Sequence, residues 1–213
     1  MTAIARAPHR EEHPTRELLV EVATRLIAER GIGNVSVRDI TSAAGVNTAA
    51  INYHFGSKDG LVDAVVVRHA EHFGLRRREL LLEVPSGERT LRDVVRALVV
   101  STAELAADTE HGGRVFLQAK LRLHADPSTL RRLERYFQPY TDEFLDALAE
   151  VTPDLPEPVR TLRYAIARET IDVAYATDNY AQWVKRRAGR APSHEAFTTQ
   201  VIDFIVAGLA APA

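Results

Sequence analysis

Between Ser36 and Lys58 the chain reads SVRDITSAAGVNTAAINYHFGSK, a run whose residue types suit contact with the edges of DNA bases. Arg38 carries the forked donor set that meets guanine bidentately, and Asn52 can do the same for adenine. Thr48 and Ala49 are small enough to let a helix sink into a major groove, and their methyls can touch the thymine methyl. Such side chains read sequence only when a rigid element presents them together.

The surrounding residues predict that element. Ser36 followed by Asp39 three positions later resembles a capping box, and Val37, Ile40 and Ala44 then share one face of a short first helix. Gly45 ends it, because a glycine can take the left-handed conformation that a tight turn between packed helices requires, and Val46 fills the gap. A second helix, about Thr48 to Phe55, turns Ile51 and Phe55 inward and leaves Thr48, Ala49, Asn52 and Tyr53 on the other face. This is the layout of a helix-turn-helix reader.

Residues 15 to 60 resemble the DNA-binding domain of TetR-type transcriptional regulators, most closely in the run AINYHFGSKDGL. The resemblance implies an all-α homodimer with a three-helix reading head, a fourth helix leading to a larger domain, and release from the operator when a small molecule binds. It places Arg38, Thr48, Ala49 and Asn52 at base-contacting positions and Tyr53, His54 and Lys58 at phosphate-contacting ones. Many relatives carry Tyr where this chain has Asn52, so the operator sequence does not transfer from them. His54 lies at the boundary between the two faces, and a satisfied core histidine is the alternative to a phosphate donor.

Composition sets the remaining bounds. The 213 residues include no cysteine, which excludes disulfides, zinc thiolates and thiol catalysis. A formal net charge of −2 argues against indiscriminate binding to nucleic acid, so the placement of charge has to substitute for its amount. The opening MTAIARAPHREEHPTR lacks the apolar core of a signal peptide, and no apolar run is long enough for a membrane helix, so a cytoplasmic protein is expected. Residues 1–14, with Arg6, His9 and Arg10, read as a flexible basic arm.

A first long helix is predicted from Thr15 to Gly31, with Leu18, Leu19, Val22, Leu26 and Ile27 on one face. Residues 57–83 predict the connecting helix, with Ser57 as its cap. Beyond it, helices are expected over 91–107, 114–123, 127–151, 157–187 with a break near Asp178, and 193–209. The domain division is thus an arm over 1–14, a head over 15–60 and an effector-binding and dimerisation domain over 61–213.

Rival chemistries fare poorly. His69 and His72 have no third ligand, no glycine-rich phosphate loop or nucleophile elbow occurs, and the adjacent acids Asp142 and Glu143 diverge on a helix. Neither metal, cofactor nor enzymatic activity is expected. The runs Arg76-Arg77-Arg78 and Lys185-Arg186-Arg187 read as solvated helix-end charge. The functional alternative is a helical ligand-binding or adaptor protein that no longer reads DNA.

The body must supply a pocket and a dimer face. Phe116, Leu117, Tyr136, Phe137, Tyr140, Phe144 and Tyr164 form an aromatic and apolar set for a cavity wall, and Lys120, Arg168 and Asp172 are the charges expected to be caught inside. A buried cation there suits an anionic head group. The run GGRVFLQAKLRLHADPSTLRRL is similar, less specifically, to regulators that sense fatty acids or acyl-CoA esters. Ile166, Thr170, Val173 and Thr177 form one ridge, and Val201, Phe204, Ile205 and Leu209 another; paired across a two-fold axis they predict a four-helix dimer interface.

Overall fold

The computed structural model describes residues 14–109, 112–124 and 127–212. The basic arm, with Arg6, His9 and Arg10, lies outside the described residues apart from Pro14, which opens the first helix. The described residues are helical, without a strand: α1 (Pro14–Arg30), α2 (Val37–Ala44), α3 (Ala49–Phe55), α4 (Lys58–Leu82), α5 (Leu91–Ala107), α6 (Gly113–His124), α7 (Pro127–Val151), α8 (Glu157–Ala176), α9 (Asn179–Ala188) and α10 (His194–Ala210). A 3-10 turn, Ile32–Asn34, which the sequence pattern did not announce, joins α1 to α2.

Local chemistry fixes the helix ends. Ser36 and Asp39 form the expected capping box: the Asp39 amide donates to Ser36 Oγ at 3.1 Å and the Ser36 amide donates to Asp39 Oδ2 at 2.8 Å. Thr90 and Asp93 repeat the device at the start of α5. Gly45 takes the left-handed conformation, φ 67°, that turns the chain from α2 towards α3. At the start of α4 Ser57 accepts from the Gly60 amide, and a Cβ on Gly60 would lie 2.1 Å from the Phe55 carbonyl oxygen. Only glycine allows so tight a passage from α3 into α4.

Helices α1, α2 and α3 fold around Leu19, Ala23, Ile40 and Ile51, with Val46 and Phe55 packed against them. This core does not stop at the head. The same buried cluster continues through Leu61, Val65 and Phe73 of α4 to Leu98 of α5, Phe116 of α6 and Ile205 of α10. Helix α1 lies along α6, and a second cluster of Ile27, Val62, Val66, Ala70, Ala119 and Leu123 joins α1, α4 and α6. Helix α5 is buried over most of its surface and is packed by α4, α6, α7, α8 and α10. The 25 residues of α4 span about 37 Å, so one rigid element runs from beneath α3 to the middle of the body. Among the described residues no helix is long and apolar enough to cross a membrane.

Candidate nucleic-acid interface and effector cavity

Ile51 is fully buried and anchors α3 to the head. The amide of Ala49 donates to Asn47 Oδ1 at 2.9 Å, so Asn47 caps the helix and the Thr48 hydroxyl makes no cap bond. Thr48, Ala49, Asn52 and Tyr53 are exposed along one face, with Tyr53 80% exposed, and Arg38 is exposed on α2. An aromatic ring held so openly gains little from its own fold and is available to a partner. His54 is half-buried, edge-on to Tyr53 with ring centroids 4.8 Å apart, at the boundary between the two faces. Phe55 is half-buried beneath the Arg16 guanidinium, 5.4 Å from its ring centroid.

Lys58 has a structural task that the sequence did not reveal. Its ammonium donates to the Ile32 carbonyl oxygen at 2.9 Å and ties the start of α4 to the 3-10 turn. Two of its three N–H donors remain for a phosphate.

The body contains a cavity of about 350 Å3 bounded by Phe73, Gly74 and Arg77 of α4, Lys120 and His124 of α6, Phe137, Tyr140 and Thr141 of α7, and Tyr164 and Arg168 of α8. Of the residues expected to line a pocket, Lys120, Phe137, Tyr140, Tyr164 and Arg168 do so. Phe116, Leu117 and Phe144 do not: they are almost wholly buried in the core, Phe116 stacked on His69 at 4.2 Å between ring centroids. Tyr136 lies elsewhere, its hydroxyl donating to Asp63 Oδ2 at 3.1 Å between α7 and α4. Apolar and aromatic residues crowd these helices because the body needs a core, so residue type alone overstated the lining.

The charges are arranged unequally. Lys120 Nζ donates to Asp172 Oδ2 at 2.6 Å, and both side chains are buried, so each neutralises the other. Arg168 Nη2 donates to Glu169 Oε1 at 2.9 Å. The same carboxylate meets His124 Nδ1 at 3.2 Å, and this bond, assisted by Arg168, pulls the Glu169 carboxyl down to about 2. Arg77, by contrast, is 6% exposed and stacks its guanidinium over Phe73 at 4.4 Å; its Nε has no hydrogen-bond partner, and it makes no ion pair among the described residues. Burial pushes its pKa below the ordinary arginine value, and Tyr164 and Asp172 oppose that push.

The expectation that Arg76-Arg77-Arg78 is solvated therefore fails at its centre. Arg76 pairs with Glu104 at 2.7 Å and Arg78 with Glu143 at 2.9 Å on the surface, while Arg77 points inward. The signal was present in the helical period, since Arg77 lies four residues after Phe73 and four before Leu81 on the buried stripe.

On the expected dimer face, Ile166 and Val173 of α8 and Phe204 of α10 are exposed, together with Leu162. Val201 is half-buried against its own core. Ile205 and Leu209 are buried within their own chain and are unavailable to a partner. Helix α10 is apolar around much of its circumference, so spacing alone did not separate its inner stripe from its outer one.

A helix-turn-helix head continuous with a cavity-bearing helical body is the plan of a DNA-binding transcriptional regulator. Residues 19–65 match the family model for bacterial regulatory proteins of the tetR family, and residues 96–208 match the tetracyclin repressor-like C-terminal domain. The chain belongs to the TetR family, whose members are DNA-binding regulators rather than enzymes. It is 31% identical over 107 residues to the transcriptional repressor KstR2 of Rhodococcus jostii, covering 50% of each chain. It is 40% identical over 88 residues to the repressor Rv3405c of Mycobacterium tuberculosis, covering 38% of this chain and 45% of that one. These matches span about half the length of the curated relatives. Among solved structures, FadR from Bacillus subtilis in complex with stearoyl-CoA has the same fold, with a TM-score of 0.63 at 18% identity, over 90% of this chain and 97% of that one.

Proposed function

We propose that the protein is a ligand-responsive repressor that binds a pseudo-palindromic operator as a homodimer and is released by an apolar or amphipathic small molecule, of the fatty acid or acyl-CoA class. The carrying observation is physical continuity: α4 begins directly under the reading helix α3 and supplies Phe73, Gly74 and Arg77 to the cavity. A ligand that changes the packing of α4 against α7 or α8 therefore acts on the element that holds the head. Arg38, Thr48, Ala49 and Asn52 read bases, and Tyr53, His54 and Lys58 hold phosphates. The exposed face of Leu162, Ile166, Val173 and Phe204 joins two chains, with Val201 at its margin. The FadR likeness supports the ligand class through a shared fold, and the repressor relatives support the direction of control.

Footprinting on the DNA upstream of its own gene tests the reading. Protection of two half-sites separated by about one helical turn, or a multiple of it, is expected, with protection lost when a medium-chain fatty acid is added. A single asymmetric contact, indifferent to every amphiphile, refutes it.

A further inference from the structure

The cavity contains more donor capacity than the protein itself uses. Arg77 Nε, the Tyr164 hydroxyl and Arg168 Nε are all buried, all belong to residues lining this one cavity, and none makes a hydrogen bond of ordinary geometry among the described residues, although the Tyr164 hydroxyl lies close enough to the Arg77 guanidinium to raise its pKa. Buried polar atoms are ordinarily paired, and three unpaired ones converging on one space call for an acceptor-rich partner. The charges point the same way. Lys120 is balanced by Asp172 and Arg168 by Glu169, which leaves the Arg77 guanidinium as surplus positive charge deep in the site, with Glu134 exposed at its edge. Phe73, Phe137 and Tyr140 add aromatic wall, and Gln138 and Thr141 line the space beside them.

We propose that this cavity binds a free monoanionic amphiphile, a carboxylic acid with an apolar tail, whose carboxylate sits on Arg77 with the Tyr164 hydroxyl and Arg168 Nε as further donors. The proposal rests on the effector reading above and narrows it. A guanidinium and a carboxylate match in shape and form paired, charge-assisted bonds, which a neutral ester cannot reproduce. A space of about 350 Å3 is near the lower limit for sites that enclose whole ligands. A medium-chain acid fits within it, whereas the nucleotide of a CoA ester would remain outside and its thioester would leave Arg77 without a counter-charge. Arg77 is then the residue that selects acid over ester, and Phe73, one turn earlier on α4, supports the guanidinium from its other face.

The test is calorimetric titration of the full chain with decanoate, methyl decanoate and decanoyl-CoA, for the native protein, Arg77→Met, Arg77→Lys and Tyr164→Phe. Native protein should bind decanoate at least about tenfold more tightly than either ester. Arg77→Met should bring acid and methyl ester to within about threefold of each other, and its ligand-free melting temperature should hold or rise, because an unpaired buried charge is gone. Arg77→Lys should keep the preference for acid in weakened form. Tyr164→Phe, which removes one oxygen, should weaken decanoate without affecting the ester. Equal binding of acid and ester by native protein, tighter binding of decanoyl-CoA, no binding of decanoate, or an acid preference that survives in Arg77→Met each overturns the assignment. Operator titrations run in parallel separate the two readings. Decanoate bound through Arg77 without any change in operator affinity refutes the effector role and leaves the anion site standing, while release that is independent of Arg77 does the reverse.

Discussion

Replacing Phe204 by glutamate should separate folding from assembly, because Phe204 is exposed while its neighbour Ile205 is buried within its own chain. Phe204 is 69% exposed on α10, so within one chain a glutamate there remains solvated and should change stability by no more than about 0.5 kcal/mol. In the proposed dimer the same position faces Leu162, Ile166 and Val173 of a second copy, and two-fold symmetry places the charge in the interface twice. Burying a carboxylate costs several kcal/mol even after relaxation. Two of them, together with the lost aromatic contact, should raise the dimer dissociation constant at least about 1,000-fold, roughly 4 kcal/mol. Operator affinity should fall with it, because each head then meets a half-site alone and loses the high effective concentration of its twin. Light scattering after size exclusion reads the mass, a thermal melt reads the fold, and a DNA titration reads the consequence. Ile205→Glu is the control: at 4% exposure it belongs to the core of its own chain, and the change should unfold the protein rather than split it. A Phe204→Glu protein that stays dimeric, or that melts like Ile205→Glu, refutes the reasoning.

Four further outcomes are expected. Asn52→Ala should relax preference at one base position by about 1 to 3 kcal/mol without changing the melt, which a binding-site selection would reveal; unchanged specificity removes Asn52 from the reading surface. Lys58→Ala should instead weaken all sequences alike, lower the salt slope by about one, and cost the head about 1 kcal/mol through the lost bond to the Ile32 carbonyl. Glu169, lowered from 4.5 to about 2, favours its carboxylate in the folded state, so its contribution is complete above pH 4.5 and disappears as the pH falls towards 2. Allowing for its partial exposure, that contribution is about 1 kcal/mol, and Glu169→Gln should flatten the acid limb of a melting-temperature profile by that amount; parallel profiles would contradict the assignment. Tyr140→Ala should enlarge the cavity where the ring lies against Gly74, changing the response to ligand while ligand-free operator affinity stays near normal; equal losses of both would make Tyr140 a structural residue only.

How much of this could be read from sequence depended on whether local chemistry or long-range packing made the decision. The helix ends were legible because caps and turn glycines act within a few residues: Ser36 with Asp39, Gly45, Ser57 and the break at Asp178 all fall where their chemistry placed them. The outward face of α3 was legible because one buried anchor, Ile51, fixes the rotation of a short helix. The 3-10 turn at Ile32–Asn34 was not, since no cap or apolar period marks three residues. The structural bond of Lys58, read only as a phosphate contact, was not legible because its partner, the Ile32 carbonyl, lies 26 residues away.

The cavity marks the limit of that kind of reading. A helical period states which residues share a stripe but says nothing about what the stripe meets, so Phe116 and Phe144 were as plausible a lining as Tyr140 until α4, α6, α7 and α8 were packed together. Arg77 carries the sharper lesson. Its spacing from Phe73 and Leu81 placed it on the buried face, while its residue type and two arginine neighbours argued for solvent. The structure resolves that conflict in favour of spacing, at the cost of a buried cation without an ion-pair partner among the described residues. Evolution has cheaper choices at such a position, since a methionine or leucine would fill it without desolvating a charge. Where local preference and observed burial disagree so strongly, the place to look for compensation is in what the protein binds.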